Sequence, residues 1–66
     1  MKIRFIRNVL IEVINPSDEI WDKQCYKWNE IQVDSIDTNG KTAVIYAANG
    51  DVLLDVPSDS FETVSG

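Results

Sequence analysis

The chain reads as a small, mainly β domain of about five antiparallel strands, and three observations lead there. Isoleucine and valine alternate with polar residues at period two through the N-terminal stretch and again beyond Lys27. Two Asn-Gly pairs, Asn39-Gly40 and Asn49-Gly50, stand between apolar runs, and that dipeptide supplies the positive φ angles a tight hairpin needs. Proline occurs only at Pro16 and Pro57, with no repeat, linker or low-complexity tract between them. One domain therefore fills residues 1–66.

The first strand is predicted over Lys2 to Ile14. Ile3 and Phe5 alternate with Lys2 and Arg4, and Val9, Ile11 and Val13 alternate with Asn8 and Glu12. Ile6 and Leu10 fall on the opposite face, which calls for a bend or bulge near Arg7 and Asn8. A strand so long and bent is able to serve two faces of a closed sheet.

The stretch NPSDEIWDKQCYKWNE, beginning at Asn15, separates the first two strands and supports two readings. As a short helix, Asn15 caps it, Pro16 opens it, Glu19 pairs with Lys23, and Trp21, Cys25 and Trp28 share a stripe. As a long loop, the same residues form an irregular excursion leading into a strand near Tyr26. The loop is preferred because of the regular pattern that follows it.

From Lys27 onward, Ile31 and Val33 alternate with Glu30, Gln32 and Asp34 up to the turn Asp37-Thr38-Asn39-Gly40. Thr42 to Ala47 is the next strand, Asn49-Gly50 the next turn, and Asp51 to Val56 a third strand. Val52, Leu54 and Val56 are expected to point inward there, with Asp51 and Asp55 outward. Pro57-Ser58-Asp59-Ser60 suits a single helical turn, and Phe61 to Val64 a short closing strand.

The run Gly50-Asp51-Val52-Leu53-Leu54-Asp55-Val56-Pro57-Ser58-Asp59-Ser60-Phe61-Glu62-Thr63-Val64 resembles the end of a Src-homology-3-like domain. In that family a glycine-led strand runs into a proline, a short turn, an aromatic and a final strand. The resemblance implies a small five-stranded antiparallel barrel with a long loop or short helix between its first two strands. It does not imply the family's polyproline groove. Of the groove residues only Pro57 and Phe61 have counterparts, at a different spacing, and Ala43 to Ala47 lacks the expected tryptophan.

Composition bounds the function. A chain of 66 residues buries only ~60% of its unfolded surface, and such a core supplies about 3 to 5 kcal/mol, so a staple or a partner is expected. Cys25 is the single cysteine, which excludes an intrachain disulfide, fits a reducing cytosol and reads as a small buried apolar residue. There is no histidine, hence no imidazole base, ligand or switch. The opening MKIRFIRNVLIEVIN is interrupted by Arg4, Arg7 and Glu12, unlike a secretory signal. No apolar run approaches the ~18 residues of a membrane span, and a soluble, cytoplasmic protein is expected.

The net charge of -5 is uneven: Lys2, Arg4 and Arg7 open the chain, and from Val9 onward three basic residues stand against eleven acidic ones. Such a surface repels phosphate backbones. The basic end is expected to lie against the acidic remainder.

Two carboxylate groups, Asp18, Glu19 and Asp22 and then Asp55, Asp59 and Glu62, read as solvated surface, because a catalytic pair needs a desolvated member. Asp37-Thr38-Asn39-Gly40 resembles part of a calcium loop, but Ser35 and Tyr46 would hold its first and last ligand positions, where carboxylates belong. No metal, no cofactor and no enzymatic activity are expected. Trp21, Tyr26 and Trp28 are the candidate partner-contact residues, since aromatics beside charged rims are enriched at interfaces. One of the two tryptophans is expected to plug the core.

The favoured function is a non-catalytic protein-interaction or regulatory module, monomeric or weakly dimeric, whose sheet edge accepts a partner strand or a second copy. In a variant of it, the acidic surface occupies a basic protein groove. The alternative is a small nucleic-acid-binding barrel that uses Lys2, Arg4, Arg7 and Lys27 with stacking aromatics, and the acidic balance disfavours it.

Overall fold

The computed structural model describes residues 1–64. The period-two segments form seven strands: β1 (Lys2–Phe5), β2 (Val9–Ile14), β3 (Ile20–Cys25), β4 (Glu30–Asn39), β5 (Thr42–Ala47), β6 (Val52–Pro57) and β7 (Phe61–Val64). One 3₁₀ turn, Ser58–Ser60, precedes β7, and the Ser60 hydroxyl donates to the Pro57 carbonyl at 2.6 Å. All pairings are antiparallel, in the order β3-β2-β6-β5-β4-β1-β7.

The sheet has seven strands and is not closed, so the expected five-stranded barrel is not formed. Two events account for the difference. The first strand breaks over Ile6 to Asn8, where the out-of-phase Ile6 and the polar pair after it interrupt the alternation. β1 then pairs with β4 and β7, whereas β2 pairs with β3 and β6. The second event is that the excursion supplies a strand of its own.

That strand, β3, returns along β2 from Ile14 opposite Ile20 to Val9 opposite Cys25, so the segment is neither a helix nor a long loop. The residues that suggested a helix cap close a turn instead. Asn15 Oδ1 accepts from the backbone N–H groups of Ser17 at 3.0 Å and Glu19 at 2.9 Å. The Asp18 N–H reaches the Asn15 carbonyl at 3.0 Å, and Asp18 itself sits at φ 63. An asparagine side chain satisfies a turn as readily as a helix end. Pairing with β2 outweighs the weak helix propensity.

The meander of β4, β5 and β6 follows expectation, but two bulges shift its faces. Val33 opposes Ala47 while Ser35 opposes Tyr46, leaving Asp34 as the extra residue. Ala43 opposes Val56 while Ile45 opposes Leu53, leaving Leu54 and Asp55 together opposite Val44, with Asp55 at φ 51. Each bulge moves the inward set by one position. Val33 is thus followed inward by Ile36, and Leu53 by Val56. Val52 and Leu54, expected inward, are half-buried on the outer face.

The sheet coils so that one face encloses the core. Ile3, Phe5, Val13, Ile45 and Val56 are almost completely buried, Cys25 joins them, and Phe61 packs against their edge. Neither tryptophan takes part, because Phe5 and β-branched side chains of β1, β2, β4, β5 and β6 occupy the space, with Cys25 alone from β3. The basic N-terminus does meet the acids. Arg4 reaches Glu30 at 2.9 Å and Glu62 at 3.3 Å, Lys2 reaches Glu30 at 3.3 Å, and Arg7 reaches Asp59 at 2.7 Å.

Candidate functional site

Directly opposed residues of an antiparallel pair share a face. Trp21, Lys23 and Cys25 oppose the buried Val13, Ile11 and Val9, so they lie on the concave face. Only Cys25 is covered. β3 ends the sheet, and among the described residues no strand pairs with its outer side. Six residues of free edge give ~20 Å of unpaired backbone donors and acceptors.

Beside this edge a cavity of about 310 Å³ opens between β3 and β4. Phe5, Val13, Cys25, Ile31 and Leu53 line it, and Lys23, Gln32, Asn49 and Asp51 stand among its polar groups. Its apolar lining is the core itself, reached where the sheet fails to close. Burial pushes the Cys25 thiol above its ordinary value, against a smaller opposing pull from Lys23. Cys25 is therefore a protonated lining group with little nucleophilic character.

The candidate partner-contact residues bracket β3. Trp21 is 40% exposed near its start, and Tyr26 and Trp28 are 58% and 61% exposed in the turn after its end. Tyr26 lies five residues along the chain from Trp21, roughly 16 Å at strand rise, so the three do not form one cluster. The expected core tryptophan is absent.

The turn that carries Tyr26 and Trp28 is tightly specified. The Tyr26 N–H donates to Asn29 Oδ1 at 3.0 Å, the Lys27 N–H to Asn8 Oδ1 at 2.8 Å, and the Trp28 N–H to the Phe5 carbonyl at 2.6 Å. These bonds hold Trp28 at φ 75, a conformation that costs a bulky residue about 1 to 2 kcal/mol. The Lys27 ammonium lies 4.9 Å from the Trp28 ring centroid, a cation–π distance. A large aromatic is thus held in solvent, at a backbone cost, beside an open strand edge.

Sequence reasoning found the aromatics but missed β3 and the cavity. The available signal was the alternation of Trp21, Lys23 and Cys25, which fits a strand as well as a helical stripe.

The other candidates resolve differently. Lys2, Arg4 and Arg7 are engaged in ion pairs with Glu30, Glu62 and Asp59, and Lys27 lies over Trp28. These side chains do not make a shared, unpaired cationic track for nucleic acid. Among the described residues no three His, Cys, Asp or Glu side chains are grouped to hold a metal ion, and no helix is long and apolar enough to cross a membrane. Compared with known proteins, the chain matches no family model, no curated protein and no solved structure.

Proposed function

We propose that the chain is a non-catalytic protein-interaction module that captures an extended segment of a partner along β3. The observation that carries this reading is the free β3 edge beside an apolar cavity. A strand added there would bond to the exposed backbone of Ile20–Cys25. Every second side chain of it would point toward the cavity, the division of labour in strand-addition recognition. Trp21 at one end and Trp28 at the other supply apolar contact where the added strand enters and leaves. The strain at Trp28 supports the same reading, since positive φ in a bulky residue is retained where the side chain serves a purpose other than folding.

The test is selection of peptides from a random extended library, followed by amide chemical-shift mapping on the intact chain. Selected peptides are expected to alternate apolar and polar residues and to shift the amides of Ile20 to Cys25 and of Ile31. Trp28→Gly relieves the backbone, so its urea midpoint should stay level or rise while peptide affinity falls about tenfold, the loss of one aromatic contact. Shifts confined to other strands, or full affinity in Trp28→Gly, would refute strand capture.

A further inference from the structure

The outer, convex face of the sheet carries a feature independent of the β3 edge. Ile20 opposes Ile14, Ile14 opposes Val52, and Val52 opposes Tyr46. These residues make one transverse apolar row across β3, β2, β6 and β5. Its ends are open, with Ile20 60% and Tyr46 42% exposed. Three strand spacings make the row ~14 Å long.

A second row lies two residues along the strands, ~7 Å away. Asp22 opposes Glu12, Glu12 opposes Leu54, and Asp37 opposes Val44 on the far side of the bulge. Three carboxylates therefore share this row, and two of them, Asp22 and Glu12, are directly cross-strand. Like charges in that position destabilise a sheet. No basic side chain belongs to either row among the described residues: Lys23 is on the concave face, and Lys2, Arg4 and Arg7 pair elsewhere.

From these two rows we infer that the convex face docks a basic amphipathic helix of a partner protein. The dimensions agree. A helix laid across the strands rises ~15 Å in ten residues and repeats every 5.4 Å, close to the ~4.8 Å strand spacing. Apolar residues at i, i+3 or i+4, i+7, and i+10 or i+11 would rest on Ile20, Ile14, Val52 and Tyr46. Lysines or arginines on the adjoining stripe would meet Asp22, Glu12 and Asp37. A second copy of this chain would set carboxylates against carboxylates, and anionic lipid or nucleic acid would be repelled by the same row.

The probe is a synthetic helical peptide of about 14 residues, with leucines at that spacing and lysines on the adjoining stripe, titrated into the intact chain. Amide shifts are expected at Ile14, Ile20, Val52 and Tyr46, and replacing its lysines with glutamates should weaken binding at least about tenfold. Glu12→Gln and Asp22→Asn, both exposed and harmless to packing, should each weaken it about threefold. Equal affinity for the two peptides, shifts confined to the concave face, binding to anionic vesicles, or dimerisation through this face in sedimentation would each overturn the proposal. Failure of strand capture at β3 would leave it standing, because Ile14, Val52 and Tyr46 lie on β2, β6 and β5 and report on this face alone, away from the β3 edge.

Discussion

Two glycines occupy equivalent places in the sequence pattern and unequal places in the structure. Gly40 and Gly50 both follow asparagine and both take positive φ, 66 and 96. A Cβ on Gly40 would meet open space, whereas one on Gly50 would stand 2.8 Å from Pro16 Cγ. Pro16 belongs to the β2–β3 turn, so Gly50 lets two turns from distant parts of the chain touch. Gly40→Ala should cost about 1 kcal/mol, the ordinary penalty of left-handed backbone in an alanine. Gly50→Ala combines a worse φ with a clash against a rigid ring and should cost about 2 to 3 kcal/mol. Against a total stability of about 3 to 5 kcal/mol, the second variant should keep no more than about 3 kcal/mol and unfold at a clearly lower urea midpoint than the first, read by circular dichroism. Equal midpoints for the two would contradict the packing of Pro16 over Gly50.

Among the elements, the β2–β3 hairpin hangs on one side chain. Asn15 Oδ1 satisfies two backbone donors, and its Nδ2 donates to Glu19 Oε1 at 3.1 Å. Asn15→Ala should destabilise by about 1 to 2 kcal/mol, the cost of losing a comparable cap, with an unchanged urea slope. An unmoved midpoint would mean that backbone bonds alone close the turn. This hairpin also marks the limit of what sequence alone conveyed. β4, β5, β6, the 3₁₀ turn and β7 were legible because Asn-Gly and Pro57 punctuate runs with a clear period of two. β3 was not, since an asparagine followed by proline is compatible with a helix start and with a turn, and only pairing with β2 decides between them. The bulges at Asp34 and Asp55 hid in the same way. Val33 and Ile36, like Leu53 and Val56, are three apart, and a strict alternation rule assigns one of each pair to the wrong face. Trp21, Tyr26 and Trp28 were identifiable as a composition feature, but their separation along β3 depends on that strand existing.

At the scale of the whole molecule, the uneven charge of the chain is a device for holding strands together. Arg4 on β1 is directly opposite Glu30 on β4 and Glu62 on β7, and its guanidinium reaches both. Arg7 ties the bend after β1 to Asp59 in the 3₁₀ turn. Hydrogen bonds from Arg4 and then Lys2 hold the Glu30 carboxyl below its ordinary 4.5, and the Arg7 hydrogen bond holds Asp59 below its ordinary 3.8. Because these carboxyls bind protons less readily folded than unfolded, their contribution is present above those ordinary values and disappears as pH falls through the lowered ones. All are exposed, so salt should screen the effect. The urea midpoint is therefore expected to be flat between about pH 6 and 8, where a chain without histidine has no side chain of ordinary pKa to titrate. It should then decline below about pH 4.5, less steeply in about 1 M salt. Glu30→Gln should flatten that decline while leaving the neutral plateau level in pH. A sloping plateau, or an acid limb of equal steepness in Glu30→Gln, would show that the N-terminal cations do not anchor β1 between its two neighbours.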